Sequence, residues 1–284
     1  AETGDDSVTT GAGADTIDAG EGDNTINAGD GNNVVTSGAG VDDITTGAGD
    51  DQIDAGAGAD SIVAGAGNDT IVFDAADLLV DGGTGSNTLS VTGPSIDLTS
   101  LPDNVLRNIQ RLDLTSGGST TLQLTETDVL AMLPSGETTL YVRGDANDQL
   151  TFRDSWESAP SVVQDGVTYQ VFTRNGLSVY LESGLVGAVA IVGSTAADNI
   201  QGGADGEQID AGSGDNTVTA LGGDDSITAG AGNDSIDGGE GDNTIAAGSG
   251  DNQITTGDGN NSVTAQAGDD SVTTGAGADT IDAG

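Results

Sequence analysis

An Ile or Val recurs at every ninth residue near both ends of this chain, at Val8, Ile17, Ile26, Val35, Ile44, Ile53, Ile62 and Ile71, and again from Ile200 and Ile209 through Val218 to Ile281. A unit carrying one apolar side chain buries nothing by itself, so the spacing predicts that the units stack into a solenoid. Two residues before each apolar position stands an Asp or Asn, once a Glu. The candidate metal ligands among them are Asp6, Asp15, Asn24, Asn33, Asp42, Asp51, Asp60 and Asp69 in the first array, and Asn216, Asp225, Asp234, Asn243, Asn252, Asn261, Asp270 and Asp279 in the second. Glycines precede that residue by two and four places, as in Gly11-Ala12-Gly13-Ala14-Asp15-Thr16-Ile17. Gly-x-Gly permits a tight turn because glycine reaches positive φ without steric cost, and the triplet around the Ile or Val is a short strand. Two units then make one coil, with coils stacked at about the 4.8 Å strand spacing. The predicted fold is all-β: parallel β-roll arrays at 1–73 and 197–284, flanking a β-rich domain at 74–196 with one or two short helices.

Such a core is one side chain thick and buries too little to offset the ordering of so many glycines, 48 in 284 residues. The acids supply what the core lacks. Residues 74–195 hold 15 acids and all five arginines, so the other 32 of 47 acids lie in flanks without a basic residue. The arrays would repel themselves unless neutralised, and the same sign excludes nucleic acid and anionic membrane surfaces as their partners. Equivalent residues of alternate units share an edge in adjacent coils, which sets Asp42 over Asp60 and Asp51 over Asp69 with oxygen atoms between them. Two carboxylates and turn carbonyls offer about six hard ligands, suited to Ca²⁺ over Mg²⁺. The chain has no His and no Cys, which argues against zinc and copper. Several ions per chain are expected. No apolar stretch is long enough to span a bilayer, so membrane insertion is not expected.

The repeated unit resembles the repeats-in-toxin calcium-binding nonapeptides of exported bacterial proteins, over residues 2–73 and about 197–284. The first glycine of the family's unit is here usually Ala or Thr, as at Thr10, Ala19, Ala28 and Ala55, and the ligand Asp is often Asn. Units reading Asp-Asn, such as Asp23-Asn24 and Asp242-Asn243, carry the carboxylate one place early and are expected to bind calcium weakly or not at all. Acids two places beyond the register, Asp18, Asp54, Asp210, Asp237 and Asp282, read as solvated surface charges. The resemblance implies type I secretion and an extracellular or cell-surface location. It implies a structural module, a calcium-stiffened stalk, fibre or adhesin segment that folds on binding calcium; a surface-layer or filament subunit and the accessory region of a secreted enzyme are the alternatives. With no His, no Cys and no G-x-S-x-G, the chain is not expected to be an enzyme.

All seven aromatic residues and all four prolines fall between residues 73 and 180. Alternating stretches such as Thr88-Leu89-Ser90-Val91 and Leu150-Thr151-Phe152 read as strands, Glu126–Leu133 as a capped helix, and Arg174-Asn175-Gly176 as a hairpin turn. The nine-residue period is expected to stop at Phe73. Leu106–Leu114 and Trp156 with Asp165–Tyr169 resemble segments interspersed with calcium repeats in large bacterial surface and biofilm proteins. Trp156, Tyr169 and Phe172 read as core before carbohydrate platform; Asp145 and Asp148 read as a turn or as a further calcium site. Residues Gly4–Gly20 and Gly268–Gly284 are identical, which predicts a module, repeated in a longer protein, whose period is the offset from Gly4 to Gly268. Further copies in tandem or in a fibre are then the protein partners expected.

Overall fold

The computed structural model describes residues 3–154, 156–182, 185, 189–204 and 206–284. These form two compact units, one of 1–122 with 126–148, the other of 123–125 with 149–284.

In the first unit, triplets centred on the Ile/Val grid are strands in two parallel sheets. Val8 pairs with Ile26, Ile26 with Ile44 and Ile44 with Ile62 in one sheet; Ile17 pairs with Val35, Val35 with Ile53 and Ile53 with Ile71 in the other. Each partner lies two nonapeptides further along the chain, so consecutive units alternate between the sheets and two units close one coil. Ile26, Val35, Ile44, Ile53, Ile62 and Ile71 are at most 1 % exposed.

Two features go beyond the sequence pattern. Ala19, Ala28, Ala55 and Ala64, two places after the grid residue, are also buried and form a second inward rank. At two such positions occupied by Thr the hydroxyl donates across coils, Thr10 Oγ1 to Ala28 O at 2.6 Å and Thr46 Oγ1 to Ala64 O. The small residues that depart from the family's first glycine are therefore core groups. Secondly, the two-unit register runs past Phe73, where the sequence period is expected to stop: Ile62 pairs with Val80 and Ile71 with Leu89. Beyond these strands the intervals lengthen, since Val80 pairs with Leu106, Leu89 with Leu112 and Leu112 with Val142, each separation greater than two nonapeptides. The longer coils carry larger inward side chains and hold the helix Glu126–Met132, which buries Val129 and Met132. Sequence reading misses this continuation because coil length changes while strand stacking does not.

In the second unit Leu150 pairs with Val189, and Ile191, Ile209, Ile227, Ile245, Val263 and Ile281 follow in one parallel sheet. Ile200, Val218, Ile236, Ile254 and Val272 form the facing rank. Strands Glu157–Gln164, Val167–Arg174 and Leu177–Glu182 are antiparallel neighbours. The turn at Asn175-Gly176 has φ of 49° and 87°, as a two-residue hairpin demands. A second hairpin turns at Asp165-Gly166, with φ of 52° and 81°, an addition to the sequence-based expectation that the same turn chemistry could have supplied. Phe152 packs on Trp156 and Phe172 with centroids 5.1 and 4.9 Å away, all three fully buried. Trp156 and Phe172 are core and offer no platform to a sugar, whereas Tyr169 pairs with Tyr180 at 5.9 Å.

Candidate metal sites

The acid or amide of each nonapeptide stands at the turn just before its strand, and one of its two terminal atoms does the same work in every unit that follows an equivalent unit one coil earlier. Its Oδ1 accepts the backbone N–H of the equivalent residue one coil earlier. On the first edge Asp6 N–H donates to Asn24, Asn24 to Asp42 and Asp42 to Asp60, at 3.0, 2.8 and 2.8 Å. On the second edge Asp15 donates to Asn33, Asn33 to Asp51 and Asp51 to Asp69, at 3.0, 2.7 and 2.9 Å. The ladder extends to Asn87, which takes the Asp69 N–H, and ends on Gln110, whose Oε1 takes the Asn87 N–H at 2.6 Å. In the second array Asp198, Asn216, Asp234, Asn252 and Asp270 form one such edge, and Glu207, Asp225, Asn243, Asn261 and Asp279 the other. Asn87, Gln110, Asp198 and Glu207 are additions to the sequence-predicted set. A lengthened coil hides Gln110, which follows Asn87 by more than two nonapeptides.

The second terminal atom separates Asp from Asn. In Asn units the amide Nδ2 donates back to its own turn: Asn24 to Gly22 O and Gly20 O at 2.8 and 3.3 Å, Asn33 to Gly31 O and Gly29 O at 2.7 and 3.1 Å. Asn243 and Asn261 repeat the pattern with the glycine carbonyls two and four places before them, and Asn252 with Gly250 O. In Asp units the atom at that place is an anionic oxygen. Oδ2 of Asp42, Asp51, Asp60, Asp69, Asp225, Asp234 and Asp270 is buried and has no hydrogen-bond donor. By register the carbonyls beside Asp51 belong to Gly47 and Gly49, so oxygen faces oxygen where the Asn units have N–H.

A buried carboxylate without a donor or countercharge is costly, and burial makes several of these groups hold their protons more tightly. Burial pushes Asp69 and Asp225 up to about 6, and raises Asp60 and Asp234 above the usual carboxylate range. Glu207, buried against Asp225, is pushed up to about 8. A hard cation beside Oδ2 would answer both the unpaired oxygen and the facing carbonyls, so the Asp turns fit calcium. The fit is to one carboxylate oxygen per turn plus carbonyls: among the described residues no three acids gather into a metal-holding cluster. Asp6, Asp15 and Asp279 are half-buried, at the ends of their ladders.

A second, exposed ladder runs the opposite way. The side chain just before the register accepts an N–H from the following coil, as Asp23 from Val41 at 2.8 Å, Asp50 from Asn68 at 2.7 Å and Asp242 from Asn260 at 2.7 Å. The displaced acids of the Asp-Asn units thus belong to this outer row. The acids beyond the register are exposed or half-buried, and Asp54, Asp210, Asp237 and Asp282 accept the N–H of the glycine two places on, starting its turn. Asp145 and Asp148 form a closed turn: Asp148 takes the N–H of Asp145 on Oδ2 and that of Thr120 on Oδ1, both at 2.8 Å, and no oxygen is left wanting a cation.

The family model described as the RTX calcium-binding nonapeptide repeat (4 copies) matches residues 1–35, 36–71, 190–218, 219–254 and 255–284. No curated protein matches the chain.

Proposed function

Because the chain belongs to the RTX calcium-binding nonapeptide repeat family, we propose that it serves as an extracellular structural module, a stalk, fibre or adhesin segment whose arrays are stiffened by calcium. The observation that carries this reading is the set of seven buried, donorless Asp oxygens at one register position among the described residues.

In this reading Asp42, Asp51, Asp60, Asp69, Asp225, Asp234 and Asp270 bind calcium through Oδ2, with the carbonyls of their glycine turns. Calcium supplies positive charge that neutralises the carboxylate and joins turns of neighbouring coils. The Oδ1 atoms meanwhile hold coil to coil through backbone N–H groups. Asn24, Asn33, Asn216, Asn243, Asn252 and Asn261 keep the ladder but take no ion: they lack the second carboxylate oxygen, and in all but Asn216, whose amide donates to Ala229 O, the amide already donates to glycine carbonyls that a cation would bind. Asp6, Asp15 and Asp279 are ion sites of lower affinity, being open to solvent.

In this reading the arrays at 1–73 and 197–284 carry the calcium-responsive register turns, and the segment at 74–196 is held chiefly by its larger apolar core. Inside a cell, where free calcium is scarce, an acidic glycine-rich chain stays extended and ready for export; outside, millimolar calcium couples binding to folding. Circular dichroism across a calcium titration tests the reading. The β signal of the arrays should fall in chelator at neutral pH and return with calcium, with ions bound in proportion to the Asp turns. Arrays fully folded in chelator would refute it.

A further inference from the structure

Among the described residues outside the nonapeptide register, Asp77 is the buried carboxylate left with an oxygen that nothing donates to. It is 4 % exposed. The segment Asp74-Ala75-Ala76-Asp77 fixes it: Asp77 N–H donates to Asp74 O, Ala76 N–H to Asp74 Oδ1 and Asp74 N–H to Asp77 Oδ2, each at 3.0 Å. With Oδ2 held by the turn, the Asp77 carboxyl lies beside both the carboxyl and the backbone N–H of Asp60, and neither satisfies Oδ1. Asp60 is fully buried, and its Oδ2 is one of the donorless oxygens.

This is the place where the nonapeptide pattern fails. Counting two units on from Asp60 reaches Leu78, whose N–H donates to Asp60 O at 2.9 Å while its side chain is 61 % exposed. The backbone keeps the register, but the acid comes from the residue before. Burial, with the negative charges of Asp60 and Asp74, pushes Asp77 up to about 7. No Lys or Arg occurs before Arg107, so the arrayed coils around this pair hold no basic side chain to sit between the carboxylates.

The same fold provides its own control. Asp145-Ala146-Asn147-Asp148 repeats the three turn bonds of Asp74–Asp77, at 2.8 to 3.0 Å. There the outward oxygen, Asp148 Oδ1, receives the Thr120 N–H. Two D-x-x-D turns of one geometry thus differ in how the outward oxygen is satisfied: an aligned amide N–H reaches that of Asp148, whereas that of Asp77 has no aligned donor and a second buried carboxylate beside it.

We propose that Asp60 and Asp77 together hold one Ca²⁺, which closes the first edge of the array where the repeat runs out, making Asp77 a metal ligand outside the nonapeptide motif. The proposal rests on the reading that register carboxylates bind calcium. Calorimetric counting of calcium on the full chain tests it. D77N should bind one ion fewer than the unaltered chain, because the Asn amide donates to Asp60 as other Asn residues do to their turns. D60N should also lose one ion, and D60N/D77N the same single ion instead of two. D148N should lose none. An unchanged count in D77N, as two carboxyls sharing a proton would give, overturns the proposal and leaves the register sites standing. No calcium uptake by the unaltered chain overturns both. Should D77N fail to fold, carboxyl labelling of the unaltered chain decides: calcium should shield Asp77 several-fold beyond Asp148, and equal change at the two sites overturns the proposal.

Discussion

At the scale of one residue, Asp and Asn are the same acceptor with opposite second atoms. Both lend Oδ1 to the preceding coil, so neither exchange breaks the ladder. Asp51→Asn would place an N–H against the carbonyls of Gly47 and Gly49, as Asn33 does with Gly29 and Gly31. It should remove one bound calcium and stabilise the chain in chelator by about 1–3 kcal/mol, the cost of an unsatisfied buried polar group. Asn33→Asp should do the reverse, adding one ion and lowering the array β signal that remains in chelator. Ion counting and melting of both variants, with and without calcium, check the pair. Opposite signs are required; a loss of stability in chelator for Asp51→Asn would mean that the amide does not find those carbonyls.

At the scale of the element, the turn is limited by how closely coils approach. Gly56 has φ of +84°, and a methyl group there would collide with the carbonyl oxygen of Gly38 one coil away. Gly56→Ala should therefore cost more than the roughly 1–3 kcal/mol of a strained backbone position alone, read as a lower unfolding midpoint in saturating calcium. Gly136, also at positive φ but with open space beside it, should tolerate Ala with only the backbone term. These elements were legible in the sequence where the chemistry is periodic: the Ile/Val grid named the strands, and the Asp/Asn grid named the inner ladder. The second inward rank at Ala19 and Ala28 was not, because a small residue beside glycine turns reads as turn composition. The outer ladder of Asp23 and Asp50 was hidden for a related reason, since an exposed acid has the same letter whether it holds an N–H or only water. Gln110 and Asp77 escaped because one sits in a longer coil and the other is a residue out of step, and period is the only signal a ladder leaves in sequence.

At the scale of the whole molecule, 47 acids against five arginines make the metal-free protein a store of electrostatic strain whose size depends on pH. Asp69 and Asp225 are pushed up to about 6, Asp77 to about 7 and Glu207 to about 8, chiefly by burial. A carboxyl that holds its proton more tightly when folded stabilises the fold fully below its unfolded pKa, near 4, and loses that contribution as pH rises through its folded value. In chelator the unfolding midpoint should therefore fall as pH rises from about 4 to about 8. In saturating calcium the trend should flatten or reverse, since protons then compete with ions for the same oxygens. Melting curves across that range in the two conditions check the sign, and a metal-free chain that gains stability on going from acid to neutral would contradict the burial of these groups.

The two side-chain ladders point in opposite directions: inner acceptors come from the coil later in the chain, outer ones from the coil earlier. No coil of an array can therefore complete its own turn, and the boundaries between neighbouring coils are built from the same kinds of bond. Removing or inserting one whole coil at such a boundary would rejoin matching surfaces, so gene-level slippage in paired nonapeptides alters length without requiring a new interface, which makes the number of coils the property most easily tuned by mutation.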